Sequence, residues 1–250
     1  MSSVAAQTPE ASSNSISRIF GVLFGPKDTF AAIAQRPTWL APVLLGVIIG
    51  LALITVFTNR VGWAVYMQHQ NSTNAAMAQR LEQMSPEQRQ QTLNLQVKIA
   101  EPVGFALAVV GPFLFTAFLA AIFLGLFNLV YGAGVGFKTS MAIVAYAFVP
   151  RMIYSLLGIF VIFLKDPTQV DLQNLIASNP GALMSTETAR WMVVLATQFD
   201  VFTIWIIILL AMGYHAANPK KVSTGGAIAG IVGLWLFWVI VITGITALTS

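Results

Sequence analysis

Residues 191–214 read WMVVLATQFDVFTIWIIILLAMGY, and this stretch decides the class of fold. It is longer than the ~20 apolar residues a helix needs to cross a bilayer. It also carries Asp200 near its middle, where insertion scales charge an aspartate ~3 kcal/mol. A residue that costly should face the interior of a helix bundle.

The rest of the chain agrees with the quoted run. Hydrophobic residues make up 57% of the 250 positions and charged residues 9%, against about 25% charged in ordinary soluble domains. The mean hydropathy is +0.78. So little polar surface cannot clothe a water-soluble core, so most side chains must face lipid or other helices. Spans are expected at about 39–58, 103–130, 139–164, 191–214 and 226–248. The predicted class is an all-α, polytopic membrane protein with five transmembrane helices. Pro42, Pro112 and Pro150 fall within or near span interiors, where kinks are tolerated. No cleavable signal peptide is expected, because the first long apolar segment begins near Trp39 and no small-residue cleavage pattern precedes it. Residues 1–14 (MSSVAAQTPEASSN) read as a disordered tail, leaving 15–250 as the membrane domain.

The formal charge of +4 is spread thinly, with no basic cluster interleaved with aromatics, so nucleic acid is not an expected partner. Cysteine is absent, which excludes disulfides and thiolate chemistry. For orientation, Arg18, Lys27, Arg36, Lys138, Lys220 and Lys221 fall on one side of the five spans. Arg60, Arg80, Arg89, Lys98, Lys165 and Arg190 fall on the other. The balance is even, and Lys220-Lys221 in a short connection tips the reading toward a cytosolic N-terminus. The C-terminus then lies on the opposite side, and in a bacterium the membrane would be the cytoplasmic one.

Outside the spans, ISRIFGVLF (residues 16–24) places Ile16, Ile19, Phe20, Leu23 and Phe24 on one helical stripe. It reads as an interfacial anchor with Arg18 on its polar side. Packing on the protein's own loops is the alternative. Gly25-Pro26 should end that helix and start a second one that stops at Arg36-Pro37. In the 59–101 loop, Met77, Leu81 and Met84 form a stripe, and Ser85-Pro86-Glu87-Gln88 carries capping-box chemistry. Two helices meeting at Ser85 are expected, the second ending at Glu101-Pro102 and the pair forming a lid. Between 165 and 190, Asp166-Pro167 and Asn179-Pro180-Gly181 signal turns.

Chemical motifs are sparse. GAGVGFKT (residues 132–139) lacks the adjacent Gly-Lys-Ser/Thr of a phosphate loop and reads as a tight turn. The two histidines, His69 and His215, are far apart in sequence, and neither a metal site, a catalytic residue nor a cofactor is expected. Gly46 and Gly50, like Gly226 and Gly230, have the spacing that lets helices approach closely. The only other charge inside the spans is Arg151. It lies 13 residues from Leu164, roughly 20 Å along a helix, and Asp200 lies 9 residues from Trp191, roughly 14 Å. Spans 3 and 4 are consecutive and antiparallel, so an Arg151–Asp200 pair is within reach. Tyr154, Ser155, Thr197, Thr203 and Asn128 are the candidate polar support. One reading is a clamp between spans; the other is a path for solute, proton or lipid headgroup. A water-accessible cavity reaching both charges would favour the path, and a dry, direct pair the clamp.

Several segments resemble one family. LFGPKDTFAAIAQRPTWLAP (residues 23–42) is similar to the approach to span 1 in the Yip family of Ypt/Rab-GTPase-interacting membrane proteins, in its bacterial branch. Phe24, Pro26, Lys27, Phe30, Ile33, Arg36, Pro37, Trp39 and Pro42 carry the pattern. MSPEQRQQ (84–91) and NLIASNPGAL (174–183) resemble its first and third loops, YAFVPRMI (146–153) its proline-bearing span, and FDVFTIWIIILLAMGY (199–214) with KKVSTGGAIA (220–229) its last two spans. The resemblance implies five membrane helices, a cytosolic N-terminus and no known enzyme activity. Eukaryotic members are tied to Rab GTPases. A Rab-type GTPase is not carried over as a partner, because this N-terminal segment holds only Glu10 and Asp28 as acids. The expectation is a non-enzymatic scaffold or organising protein. Its partners are the lipid bilayer and, beside it, a second copy or other membrane proteins. A transporter or channel component using Arg151 and Asp200 is the alternative.

Overall fold

The computed structural model describes residues 14–73, 75–172, 174–185 and 188–249. The predicted disordered tail therefore lies, apart from Asn14, outside the described residues. Among those described the chain is all helical: α1 (Ser15–Phe24), α2 (Pro26–Gln35), α3 (Leu40–Arg60), α4 (Trp63–Thr73), α5 (Ala75–Glu82), α6 (Pro86–Gly125), α7 (Phe137–Ala147), α8 (Val149–Leu164), α9 (Arg190–Thr197), α10 (Val201–Ala217) and α11 (Thr224–Thr249). Four helical stretches are long and apolar enough to cross a membrane: Leu40–Arg60, Pro86–Val130, Phe137–Leu164 and Thr224–Leu248. α9 and α10, bent by 44° at a short break, pass the same test together and make a fifth span when counted as one. The protein is a multi-pass membrane protein.

The chain divides into two compact units. The first comprises residues 14–44, 116–150 and 204–237; the second comprises 45–115, 151–203 and 238–249.

In the first unit, Asn14 caps α1, its side chain accepting from the Ile16 N–H. Of the stripe read as an anchor, Ile16, Phe20 and Phe24 are exposed and Leu23 is half-buried, whereas Ile19 turns inward. Arg18, Ile19 and Val22 are buried, and Arg18 Nη1 donates to the Arg36 carbonyl at 2.8 Å and to Thr38 Oγ1 at 3.2 Å. The arginine thus lies on the packed side and ties α1 to the end of α2. Its hydrogen bonds to the α2 terminus offset the burial of its charge, which periodicity alone does not capture. Residues 140–147 of α7 are buried throughout. At Gly213 of α10 an added Cβ would overlap Ile143 Cγ2 and stand 3.1 Å from the Phe30 ring. The 132–136 segment is the expected turn, with Gly132 and Gly134 at positive φ. Asn128 closes it, donating to the Val135 carbonyl and accepting from the Val135 N–H.

In the second unit the expected capping box forms: Ser85 N–H donates to Gln88 Oε1, and Gln88 N–H to Ser85 Oγ. The helix it starts does not end at Glu101-Pro102 as expected. α6 runs on through Pro102 and Pro112. A proline inside a helix costs ~3 kcal/mol, but ending the helix would free several backbone groups where hydrocarbon offers them no partner. The preceding loop packs back through Phe57, Trp63 and Tyr66, whose rings meet edge to face at 5.2–6.2 Å. Asn71 and Gln96 exchange side-chain hydrogen bonds. Tyr154, Ile162, Val170 and Leu175 complete the same core.

Candidate functional site: a polar cavity at a broken span

The 191–214 run is two helices. α9 ends at Thr197 and α10 begins at Val201, so Asp200 does not lie within a continuous helix. It caps one. Its Oδ1 accepts from the Phe202 N–H at 2.8 Å and the Thr203 N–H at 3.3 Å. Val201 N–H donates to the Ser178 carbonyl at 3.2 Å, and Ser178 Oγ–H donates to Asp200 Oδ2. Three N–H groups that a helix start leaves orphaned are thereby satisfied within the fold. The cost of burying a carboxylate is offset by the break it makes possible.

Ser178 reaches Asp200 because the 165–190 segment folds back along α8. Ile176 N–H donates to the Tyr154 hydroxyl at 3.4 Å, and Leu175 packs on Gly158 so closely that a Cβ there would lie 2.8 Å from Leu175 Cδ1. Tyr154 is ten residues before the end of α8, about 15 Å along the helix. Non-helical backbone is thus carried well down the span. Such backbone is tolerated at membrane depth where it is covered by protein or lines a polar cavity. The turn at Asn179-Pro180-Gly181 is fixed by Asn179, whose Oδ1 accepts from the Ala182 N–H while its Nδ2 donates to Asn174 Oδ1. Gly181 is needed there: a Cβ would stand 2.6 Å from Thr197 Cγ2 and 3.1 Å from the Thr197 backbone nitrogen.

These elements enclose a half-open cavity of about 260 Å³. Arg151 and Tyr154 line it from α8, Asn174 and Asn179 from the returning loop, and Thr197, Gln198, Asp200 and Thr203 from the broken span. Arg151 is exposed and Asp200 is buried. The guanidinium carbon of Arg151 sits 4.3 Å from the centre of the Tyr154 ring, a cation–π arrangement. Among the described residues no carboxylate stands within ion-pair distance of it. The two charges expected to meet are therefore brought to one cavity, each with its own partners.

The other residues singled out from sequence are distributed as follows. Tyr154, Thr197 and Thr203 line the cavity. Ser155 does not; its hydroxyl donates to the Arg151 carbonyl within α8. Asn128 belongs to the first unit and serves the 132–136 turn. Gly46 lies 3.6 Å, measured from an added Cβ, from Met152 Cε, and Gly50 lies 3.6 Å from the Ala108 carbonyl, so this pair packs within the chain. Gly226 and Gly230 form a slot for Tyr131, whose hydroxyl donates to the Gly226 carbonyl at 2.7 Å. Sequence reasoning misses Asn174, Ser178, Asn179 and Gln198 as site residues. The one signal it offers is the Asn179-Pro180-Gly181 turn, which by itself reads as loop punctuation.

Among the described residues no group of three metal-ligating side chains comes together. Outside the spans, burial raises the Tyr66 phenol above its usual range, the Asp171 charge adds to this, and a hydrogen bond with Gln70 opposes it. A family model described as the Yip1 domain matches residues 20–245. The chain belongs to the Yip1 domain family. That assignment embraces both units and every cavity residue. No curated protein and no solved structure matches the chain. The family places this Yip1 domain in a bilayer and leaves its activity to be argued from the side chains.

Proposed function

We propose that this Yip1-domain protein is a non-enzymatic membrane organiser that grips the bilayer interface through α1 and keeps its N-terminus in the cytosol. The observation behind this reading is the division of labour on α1. Its inner face is pinned by Arg18, Ile19 and Val22, and the Ser15 carbonyl accepts from the Tyr146 hydroxyl. Its outer face carries Ile16, Phe20 and Phe24 at 61%, 60% and 86% exposure, with Leu23 partly covered. A rigidly held helix with bare aromatic and aliphatic side chains suits the boundary between headgroups and acyl chains. Such a helix can locate the spans at a fixed depth and present neighbouring surface to other membrane proteins or a second copy.

Transport is the second reading, supported by the open cavity lined by both Arg151 and Asp200. Against a proton-carrying role, the Asp200 oxygens already accept from two backbone N–H groups and a serine hydroxyl. Reconstitution into liposomes separates the two. The organising reading expects no proton or solute flux above empty vesicles, and loss of a reproducible set of co-purifying membrane components when Phe20 and Phe24 are both changed to serine. Flux that Arg151→Gln abolishes would replace it with transport.

A further inference from the structure

Beyond the interfacial anchor, we propose that the cavity at the broken span is a seat for a zwitterion, with an oxyanion end held by Arg151 and a primary ammonium end held by Asp200. The chemistry begins with charge balance. Among the described residues, Arg151 and Asp200 are the charged groups lining the cavity, and its other lining residues are neutral and polar. They face it from separate walls, one on α8 and one at the α9–α10 break, so the space between them is dipolar. A simple anion there would be drawn to the guanidinium and repelled by the carboxylate. A simple cation would meet the converse. A ligand carrying both charges satisfies both ends.

The chemistry of each end narrows the class. The Arg151 guanidinium carbon lies over the Tyr154 ring, and its N–H donors, which have no hydrogen-bond partner among the described residues, can take two oxygens of a phosphate or carboxylate. A carboxylate offers about four acceptor positions. Three donors occupy Asp200, from Ser178, Phe202 and Thr203. The remaining position asks for an N–H donor. A primary ammonium supplies one and a quaternary ammonium does not. The aromatic face that could attract a quaternary group is already taken by Arg151. The cavity of about 260 Å³ is below the usual range for drug-sized ligands and suits a headgroup-sized molecule. A phosphoethanolamine group has this chemistry, whether carried by a lipid or free in water.

The test is binding of lipids to the purified full-length protein in detergent, read by native mass spectrometry. Phosphatidylethanolamine should be retained about tenfold more strongly than phosphatidylcholine or phosphatidylglycerol, the loss expected for one missing charged contact. Asp200→Asn keeps a side chain that can cap α10 and should invert the preference toward phosphatidylglycerol. A folding defect would not produce that inversion. Arg151→Gln touches no cap and should weaken phosphatidylethanolamine about tenfold, so this variant alone can sink the proposal even if Asp200→Asn fails to fold. Competition with soluble glycerophosphoethanolamine distinguishes the sources: displacement identifies a free-solute site, and retention of the lipid identifies a headgroup site. Equal retention of the three lipids by the unaltered protein, or undiminished retention of phosphatidylethanolamine by Arg151→Gln, would overturn the proposal.

Discussion

Two polar clusters inside the spans handle the same problem in opposite ways. In the first unit, Ser140 and Tyr214 are fully buried. Ser140 Oγ–H donates to the Ala120 carbonyl at 2.7 Å, so the Tyr214 hydroxyl is the donor in its contact with Ser140. The Tyr214 ring stacks on Phe127 with centroids 4.1 Å apart. Both hydroxyl hydrogens have an acceptor, and the ring is packed on its face. In the second unit, Arg151 and Asp200 share an open cavity without a direct ion pair between them. The first cluster is a closed packing element. The second leaves a charged dipole addressed to something else. What separates them is whether hydrogen-bonding capacity is exhausted within the fold.

That contrast can be broken by substitution, beginning where the effect is largest. Tyr214→Ala removes a stacked ring and a hydroxyl from a fully buried site, and should cost about 3–5 kcal/mol of stability. Thermal unfolding in detergent would register this as a large fall in midpoint, and a negligible shift would mean the closed cluster is not a packing element. Asp200→Ala should cost less, about 1–2 kcal/mol for a lost cap, with Asp200→Asn recovering most of it in the same assay. Equal losses for alanine and asparagine would show that charge, not capping, holds the break together.

The smallest effect concerns an exposed counterpart of that cap. Asp166 accepts from the Thr168 hydroxyl and backbone N–H at the start of a short turn, and these bonds hold its carboxyl below the usual range. A folded value below the unfolded one means the contribution is full above the unfolded pKa and fades as pH falls through the folded one. Thr168→Val should therefore lower the midpoint slightly at neutral pH, with the deficit fading as pH falls, so that the acid limb of the midpoint-against-pH curve is flattened. A deficit confined to acid pH, or one that does not fade as pH falls, would contradict the assignment.

Much of this molecule is legible in its sequence. Hydropathy locates the spanning segments, because hydrocarbon accepts only backbone that satisfies itself and side chains that need no water. The Ser85–Gln88 capping box and the 132–136 turn are readable, since both depend on residues within a few positions of one another. The family resemblance rests on such local patterns too. Less visible are the burial of Arg18 and the continuation of α6 through Pro102, each decided by what lies beside the helix rather than within it.

The 191–214 run shows the limit most plainly. Its length and apolarity establish by themselves that it belongs in a membrane, and the presence of Asp200 marks the place where something unusual has to occur. That the helix breaks there, and that Asp200 becomes a cap rather than half of an ion pair, depends on Ser178 arriving from a folded-back loop. Sequence periodicity reports which side chains share a face of one element. Which partners a buried polar atom finds is set by distant segments, and only tertiary structure brings those together.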